Sequence, residues 1–261
     1  MNSYRFSFIL FVCLLLFLPF LGTVHLFDWD EINFAECARE MISTSNYSTV
    51  TIDYLPFWEK PPLFIWMQVV SMKLFGIGEF AARFPNLLAA IATAFFLYLA
   101  GRKIKNETFA YWWLAFYLGS FLPNIYFHSG IIDPWFNLFI VGAIYHLYKG
   151  HKDEYGIGSY LLAGCFLGLA VMTKGPVALA LVGGTAFIYF VSIRFRQFPS
   201  IIQLVAFFMF TLLIGGIWFM LLVNTGNKQM ISEFISYQLR LFQTQDAGHG
   251  GPFYYHFLIL L

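Results

Sequence analysis

The sequence is poor in charged residues, which make up 11% of its 261 positions, and its formal net charge is only +1. A nucleic-acid partner would require a basic face, so this balance argues against such a partner. The three cysteines lie far apart in the chain and predict neither a disulfide framework nor a metal knuckle. Hydrophobic residues, in contrast, reach 59% and include 33 phenylalanines, a composition typical of a membrane protein.

Long apolar runs predict an all-α polytopic membrane protein with a single transmembrane domain over residues 1–261. The first run lacks the small-residue cleavage site of a secretory signal, so we interpret residues 6–27 as a helix that remains in the membrane. Because the last run is interrupted by the end of the chain, we expect this sequence to be the N-terminal portion of a longer protein. The further predicted spans are residues 80–101, 108–127, 134–148, 157–173, 177–193, 200–223 and an incomplete one at 253–261.

The basic residues of the short loops predict which end of the bundle faces outward. Residues 61–75 are apolar but short, and they form either another span or a helix lying at the membrane interface. If they do not cross, the basic residues of the later short loops share the side of Arg5, which is then cytoplasmic by the positive-inside rule. A crossing would move these residues outside, so we predict interfacial helices in an extracytoplasmic loop over residues 28–79. The residues counted are Arg102, Lys103, Lys105, Lys149, Lys152, Arg194 and Arg196.

The predicted outer loop begins with DWDEINFAECAREM, residues 28–41, which has the pattern of a short amphipathic helix. Asp30 suits the N-cap, while Glu36, Arg39 and Glu40 fall on more polar positions. Glu36 and Arg39 are spaced to form an i,i+3 ion pair. A capped helix resting on the membrane surface explains this pattern as well as a functional site does. The predicted apolar stripe is Ile32, Ala35, Ala38 and Met41.

The stretch FWEKPPLFIW, residues 57–66, places a carboxylate and an ammonium directly before two prolines. Pro61 and Pro62 fit the first turn of a helix, where missing N–H groups cost little. Lys60 then lies beside the positive end of the helix dipole and favours an anion such as a phosphate, with Glu59 balancing its charge in the free protein. A lysine that extends to the interface and pairs with its neighbour is an equally good interpretation.

Two more predicted outer sites carry charge at helix ends. Asp133 precedes Pro134, and an acid at this depth requires a cavity or a partner, although an N-cap before a proline is a simpler explanation. Lys174 lies in TKGP, at the end of a helix broken by glycine and proline, where an interfacial anchor is the simpler explanation. Together with Asp30 and Lys60, these residues form the mixture of charges that a site for a lipid phosphate requires.

The predicted loop over residues 238–257 brings further polar groups to the same side. Arg240, Asp246 and His249 lie among glycines that permit tight backbone turns, and an aromatic run follows. A lone histidine is more often structural than catalytic, so His249 is a candidate only in combination with the other outer residues.

Several of these motifs, in this order, resemble the N-terminal half of bacterial C-type (GT-C) glycosyltransferases. The branch is that of the protein O-mannosyltransferases and the lipid A aminoarabinose transferase. The resemblance implies a transmembrane helix bundle that transfers a sugar from a polyprenyl phosphate to a glycolipid, glycan or protein hydroxyl, with inversion, at the extracytoplasmic face of the inner membrane. The motifs are DEINFAECAREM at 30–41, FWEKPPLFIW at 57–66, GIGEFAARFPN at 76–86, Asp133, TKGP at 173–176 and HGGPFYYHF at 249–257.

The resemblance also implies roles for individual residues. Asp30 matches the active-site acid of the first outer loop, Asp133 matches the acid of the second, and Glu59 with Lys60 matches the pair near the donor phosphate. The secondary candidates for phosphate contacts are Lys174, Arg240 and His249. Some relatives bind a divalent ion near the outer acids, and Glu31 and Glu36 are the candidates here, with Arg39 as a supporting residue. No His or Cys spacing supports a metal, so the sequence leaves this cofactor open.

Two other classes of function remain as alternatives. A transporter or flippase of lipid-linked sugars would place ionisable groups near mid-membrane and would often show repeated halves with broken helices. A non-catalytic protein that binds polyprenyl phosphate would need Lys60 but would not need Asp30.

Overall fold

The structure, a computed structural model, describes residues 3–27, 29–152, 156–196 and 198–243. Within these residues the chain forms twelve α-helices and one two-stranded antiparallel hairpin, in which Thr51 pairs with Pro56 and Ile52 with Leu55. The elements are α1 (Ser3–Phe17), α2 (Asp30–Thr44), β1 (Thr51–Ile52), β2 (Leu55–Pro56), α3 (Leu63–Phe75), α4 (Glu79–Ile104), α5 (Glu107–Leu118), α6 (Phe121–Phe127), α7 (Asp133–His151), α8 (Gly156–Lys174), α9 (Val177–Ser192), α10 (Ile201–Gly215), α11 (Ile217–Asn224) and α12 (Lys228–Gln243).

Helices α1 and α4 lie antiparallel, and their contacts define the two ends of the bundle. Near the start of α4, Arg83 donates hydrogen bonds to the carbonyl oxygens of Leu21 and Val24, which follow α1. At the opposite end Arg5, on the first turn of α1, lies 3.0 Å from the Glu107 carboxylate, just after α4. We call these the Glu31 end, because Glu31 binds Arg83 there, and the Arg5 end.

Helix α3 does not connect the two ends. The chain leaves α1 and enters α4 at the Glu31 end, so the segment between these two helices, which includes α3, begins and ends at that end. Thirteen residues of helix measure roughly 20 Å, which is short of the roughly 30 Å of a bilayer core. This placement is the one that the distribution of basic residues predicts.

The segment predicted as one span over 108–127 is two helices, α5 and α6, separated at Gly119 and Ser120. Asn124 on α6 donates hydrogen bonds to the carbonyl oxygens of Leu118 and Ser120 and so bridges the break. The chain then returns to the Glu31 end, where the backbone N–H of Gly130 donates to Glu31.

Helices α7, α8 and α9 run back and forth between the ends. Lys174, at the end of α8, contacts Asp133, at the start of α7. At the Arg5 end the ring of His151 on α7 lies 5.2 Å from the ring of Tyr189 on α9. Predicted spans and observed helices differ here by only a few residues.

Helix α8 also packs closely against α10 through glycines. A methyl group at Gly164 would collide with the carbonyl oxygen of Phe207, and one at Gly168 would lie 2.8 Å from Cβ of Ile214. Small residues of this spacing let two helix backbones approach each other within a membrane. Helix α10 continues into α11 after a 46° bend and returns the chain to the Glu31 end.

The outer surface of the bundle is largely apolar. By length and composition α4 and α8 are able to cross a membrane, as is the bent pair α10–α11 if it counts as one span, while α1, α3 and α9 are shorter apolar helices. Large apolar side chains such as Phe11, Phe187 and Leu212 are exposed. Apolar exposure on this scale is typical of a surface that contacts lipid.

Candidate functional site

A buried ion pair between Glu31 and Arg83 holds the Glu31 end together. The Arg83 guanidinium donates to both carboxylate oxygens of Glu31, at 2.8 and 3.0 Å, and also to the carbonyl oxygen of His25. Glu31 accepts two further backbone N–H groups, from Phe27 and from Gly130. Both oxygens of Glu31 are therefore engaged, so the prediction of Glu31 as a metal ligand finds no support in this geometry.

Asp30 stands at the start of α2, one residue before this ion pair. It is the first helical residue, and the N-cap is Trp29, whose φ of 74° is left-handed, so the prediction of Asp30 as N-cap was wrong. The Asp30 side chain is exposed, which leaves its carboxylate accessible at the Glu31 end. Within the predicted apolar stripe, Ala35, Ala38 and Met41 are buried, but Ile32 is 42% exposed because it lies on the outer face of the helix.

The next turns of α2 carry one ion pair that was predicted and one buried acid that was not. Arg39 donates to both Glu36 oxygens, at 2.6 and 2.8 Å, as the i,i+3 spacing predicts. These hydrogen bonds hold the pKa of Glu36 below its ordinary value. The same hydrogen bonds engage both carboxylate oxygens of Glu36, which is the second candidate metal ligand.

Glu40, expected on a polar position, is fully buried. Its carboxylate accepts hydrogen bonds from the Thr51 hydroxyl at 2.5 Å and from the backbone N–H of Tyr54 at 3.1 Å. The two residues of the hairpin turn, Asp53 and Tyr54, have φ values of 53° and 59°. The buried carboxylate therefore holds a turn whose two residues have a left-handed backbone conformation, which residues other than glycine adopt infrequently.

The EKPP stretch lies directly before α3. Pro62 is the N-cap and Pro61 precedes it, so both prolines lie one or two positions earlier than predicted. The Lys60 ammonium is 4.0 Å from the Glu59 carboxylate, and the Lys60 side chain is 19% exposed. It also lies 5.9 Å from the centre of the Tyr237 ring on α12. Lys60 is thus a largely enclosed cation close to the start of a helix.

Asp133 and Lys174 bind each other. Their carboxylate and ammonium groups are 2.8 Å apart, and the ammonium also lies 5.5 Å from the centre of the Phe136 ring. Asp133 is the first residue of α7 rather than its N-cap, which is Ile132. The simpler explanations were an N-cap for Asp133 and an isolated interfacial anchor for Lys174. Neither describes this ion pair.

Helix α12 links the EKPP stretch to the end of α8. Gln238 donates a hydrogen bond to the carbonyl oxygen of Glu59 at 3.3 Å. A methyl group at Gly175, next to Lys174, would lie 3.0 Å from the ring of Phe234. Gly175 has a φ of +78°, which favours glycine at this helix end.

The predicted loop over 238–257 is helical up to Gln243, because α12 includes its first residues. Arg240 therefore lies on α12, with its guanidinium 5.5 Å from the centre of the Tyr237 ring. The signal for this helix was present in the sequence, since the apolar residues Met230 and Phe234 are four residues apart. The structure buries both. The candidates Asp246 and His249, and the incomplete span at 253–261, lie outside the described residues.

One apolar cluster joins these elements beneath the polar groups. It contains buried residues from α2, α3, α8, α11 and α12, among them Phe34, Phe64, Met172, Trp218 and Phe234. The structure therefore brings the start of α2, the EKPP stretch and the Asp133–Lys174 pair to one end on a shared core.

Arg83 was not identified as a site residue from the sequence. Its signal was a guanidinium close to the start of a predicted span, where a charge requires a buried partner. Among the described residues no group of three or more His, Cys, Asp or Glu side chains is arranged to hold a metal ion.

A bundle of apolar helices with this polar end defines a multi-pass membrane protein. A family model described as dolichyl-phosphate-mannose-protein mannosyltransferase matches residues 59–231. The chain belongs to this family.

The chain is also similar to curated transferases. It is 28% identical over 256 residues to an undecaprenyl phosphate-alpha-4-amino-4-deoxy-L-arabinose arabinosyl transferase from Shewanella sediminis, covering 97% of this chain and 46% of that protein. A Proteus mirabilis protein of the same description is 32% identical over 178 residues, which cover 67% of this chain and 32% of that protein. The chain thus spans about half the length of the first of these relatives.

The fold matches a solved structure over the full chain. The crystal structure of ArnT from Cupriavidus metallidurans bound to undecaprenyl phosphate superimposes with a TM-score of 0.84 at 23% identity. The match covers 100% of this chain and 48% of that protein. The apo structure of the same protein gives a TM-score of 0.81.

Proposed function

We propose that this chain forms the donor-binding part of a glycosyltransferase that moves a sugar from a polyprenyl phosphate carrier to an acceptor. The observation that carries the proposal is the meeting of Lys60, the Asp133–Lys174 pair and α12 at one end of the bundle. The names of the curated relatives support a 4-amino-4-deoxy-L-arabinose donor on undecaprenyl phosphate. The proposed acceptor is a lipid A-like glycolipid.

The proposed reaction inverts the anomeric carbon in one displacement. The acceptor oxygen forms a bond to this carbon while the bond from carbon to the carrier phosphate breaks, and the phosphate leaves with the electron pair. A hydroxyl acceptor must lose a proton, and the exposed carboxylate of Asp30 at the first turn of α2 is the proposed general base. For an acceptor that is already ionised, such as a phosphate, Asp30 instead orients the acceptor or stabilises positive charge on the sugar.

Lys60 is the proposed partner of the leaving phosphate. Its ammonium lies near the start of α3, whose unpaired N–H groups favour an anion, and it is four-fifths enclosed by protein. Low exposure strengthens a charge–charge contact at the moment when negative charge grows on the phosphate. Lys174 and Arg240 are proposed as further phosphate contacts, and binding of the donor then competes with Asp133 for Lys174.

The proposed site faces away from the cytoplasm. The basic short loops lie at the Arg5 end, and the positive-inside rule assigns that end to the cytoplasm. The Glu31 end then opens at the extracytoplasmic face, where a carrier lipid can approach from the outer leaflet.

The test uses the full-length protein in membranes, with purified undecaprenyl-phosphate aminoarabinose as donor and lipid A as acceptor. Asp30→Asn and Lys60→Ala are each expected to lower transfer by roughly 10²–10³-fold while expression and membrane insertion persist. Asp53→Asn and Lys73→Ala are matched controls, because they remove the same charges from other positions at the Glu31 end and are expected to retain activity. Transfer at the wild-type rate in both site variants would remove the assignment of this site.

A second measurement separates the enzyme from a binding protein and from a flippase. Binding of undecaprenyl phosphate is expected to weaken in Lys60→Ala and to persist in Asp30→Asn. Wild-type protein that binds this lipid without transferring sugar would favour the non-catalytic alternative. Movement of the lipid-linked sugar across vesicles without transfer would favour a flippase.

A further inference from the structure

The Arg5 end, far from the candidate site, carries a cleft between α4 and α7. The cleft has a volume of about 430 Å³. Arg102 and Lys103 from the last turn of α4 and Lys149 from the last turn of α7 line its polar part. Phe96 and Leu99 line its apolar part. None of these residues has a role in the proposed sugar transfer.

Three cationic side chains meet in this small volume. Lys149 is only 8% exposed, so its ammonium is removed from most of the solvent that would otherwise stabilise its charge. Its Nζ lies 5.4 Å from the centre of the Tyr145 ring, and the Arg102 guanidinium lies 5.6 Å from that of Tyr98. Aromatic faces favour the cationic form but leave room for an anion beside it.

The basic residues in the short loops of this end outnumber its acidic ones in the sequence: Arg102, Lys103, Lys105, Lys149, Lys152, Arg194 and Arg196 stand against Glu107, Asp153 and Glu154. Glu107, which the structure describes, is bound by Arg5 at 3.0 Å and accepts a hydrogen bond from Tyr98. Asp153 and Glu154 follow α7 in the sequence and lie outside the described residues. Because like charges repel at short range, an anion placed between the lysines and the arginine would stabilise the cleft.

The cleft is amphiphilic along the helix axes. On α4, Phe96, Leu99 and Lys103 follow one another at intervals of three and four residues and so share one face. On α7, Tyr145 lies one turn before Lys149 in the same way. Phe96 and Lys103 are separated along α4 by roughly 10 Å, the length of several methylene groups. The cations therefore lie at the end of the cleft formed by the last turns of α4 and α7, and its apolar wall extends from there toward the middle of these helices.

His146 adds a polar atom to the wall. It lines the cleft, its ring stacks on Phe166 at 5.6 Å, and its buried Nδ1 has no hydrogen-bond partner among the described residues. Buried nitrogen atoms normally have a partner, so this atom is a position where a ligand oxygen or a water would bind.

We propose that this cleft binds an anionic glycerophospholipid of the surrounding membrane. The lipid phosphate lies between Arg102, Lys103 and Lys149, and one acyl chain lies along Phe96 and Leu99. Basic pockets between transmembrane helices recognise lipid headgroups in this manner. The site is separate from the one that handles the polyprenyl phosphate, and its proposal does not depend on the sugar-transfer reaction.

The test uses the full-length protein in nanodiscs of phosphatidylcholine, titrated with phosphatidylglycerol and detected by native mass spectrometry. Wild-type protein is expected to retain phosphatidylglycerol in preference to phosphatidylcholine of the same chain length. Arg102→Gln/Lys103→Gln is expected to weaken this binding by roughly 10- to 30-fold, since each cation contributes about fivefold. These two side chains are half-exposed or exposed, so the variant is expected to fold.

Lys105→Gln is the matched control, because it removes one charge two residues beyond the cleft, and its binding is expected to stay within twofold of wild type. Unchanged binding in the double variant, or equal binding of the two lipids by wild type, would overturn the proposal. Equal binding of the two lipids is also the result expected if Asp153 and Glu154 neutralise the cations. Displacement of the lipid by an equal concentration of soluble glycerol phosphate would show a phosphate site without an acyl groove, and would also overturn it.

Discussion

Replacing Arg83 by Met is expected to destabilise the protein far more than any surface change on the same elements. Arg83 and Glu31 have exposed side-chain fractions of 2% and 1%. Met approximates the aliphatic part of Arg83 but leaves the Glu31 carboxylate buried without its cation. Three backbone carbonyl groups, of Leu21, Val24 and His25, lose their donor in the same change.

The expected cost follows from the burial of the pair. Removing one partner of a buried ion pair costs about 3–5 kcal/mol, because the remaining charge is left without compensation. For a protein of this size about 1 kcal/mol shifts the melting temperature by about 2–4 °C, so Arg83→Met is expected to lower it by roughly 6–20 °C. Adding Glu31→Gln removes the uncompensated charge, so the double variant is expected to be more stable than the sum of the single changes by at least about 1 kcal/mol.

The assay is thermal unfolding of the full-length protein in one detergent, followed by tryptophan fluorescence. Arg39→Met is the matched control, because it breaks a second Glu–Arg pair, with Glu36, whose side chains are about one-third exposed. A pair of this exposure contributes about 0–1 kcal/mol, so the control is expected to melt within about 4 °C of wild type. Equal shifts in Arg83→Met and Arg39→Met would refute the argument from burial.

Three further predictions concern packing, the hairpin and pH. Gly164→Ala is expected to cost about 1–3 kcal/mol in the same assay, because the added methyl group collides with α10. Glu40→Gln is expected to speed amide hydrogen exchange at Tyr54 by roughly 10- to 100-fold, since the amide loses a charged acceptor. The pKa of Glu36 is depressed by its hydrogen bonds from Arg39, so the stability that this pair adds is complete above the unfolded-state pKa of Glu and is lost as the pH falls through the lower folded-state pKa. The melting-temperature gap between wild type and Glu36→Gln is therefore expected to close on acidification below about pH 4.

Each of these predictions has a control or a contradicting result. Gly158→Ala, on the same helix with nothing near its Cβ, is expected to stabilise the protein slightly, and a loss equal to that of Gly164→Ala would contradict the packing argument. Unchanged exchange at Tyr54 in Glu40→Gln would show that the hairpin does not depend on the buried carboxylate. If the difference in melting temperature between wild type and Glu36→Gln widens in acid, the direction of the pKa shift of Glu36 is wrong.

Local features of the sequence predicted the elements and one of the ion pairs well. Apolar runs located the helices from α4 to α11 within a few residues, apart from the breaks between α5 and α6 and between α10 and α11. The first predicted span, 6–27, was too long, because α1 ends at Phe17. The Glu36–Arg39 pair was predictable because residues three apart on a helix are neighbours wherever the helix packs. The amphipathic spacing of α12 was equally local, and it was overlooked in favour of a loop.

The sequence by itself determined an all-helical membrane protein and the end of the bundle where its acids and lysines collect, because hydrophobic periodicity and loop charge act within a few residues of chain. Only the tertiary structure decided that Glu31 binds Arg83, 52 residues away, and that Asp133 binds Lys174, 41 residues away. The burial of Glu40 was decided in the same way, by a hairpin that packs on α2. Such pairings depend on which helix ends meet in space, and a charge is held inside a protein only where a partner from another element reaches it.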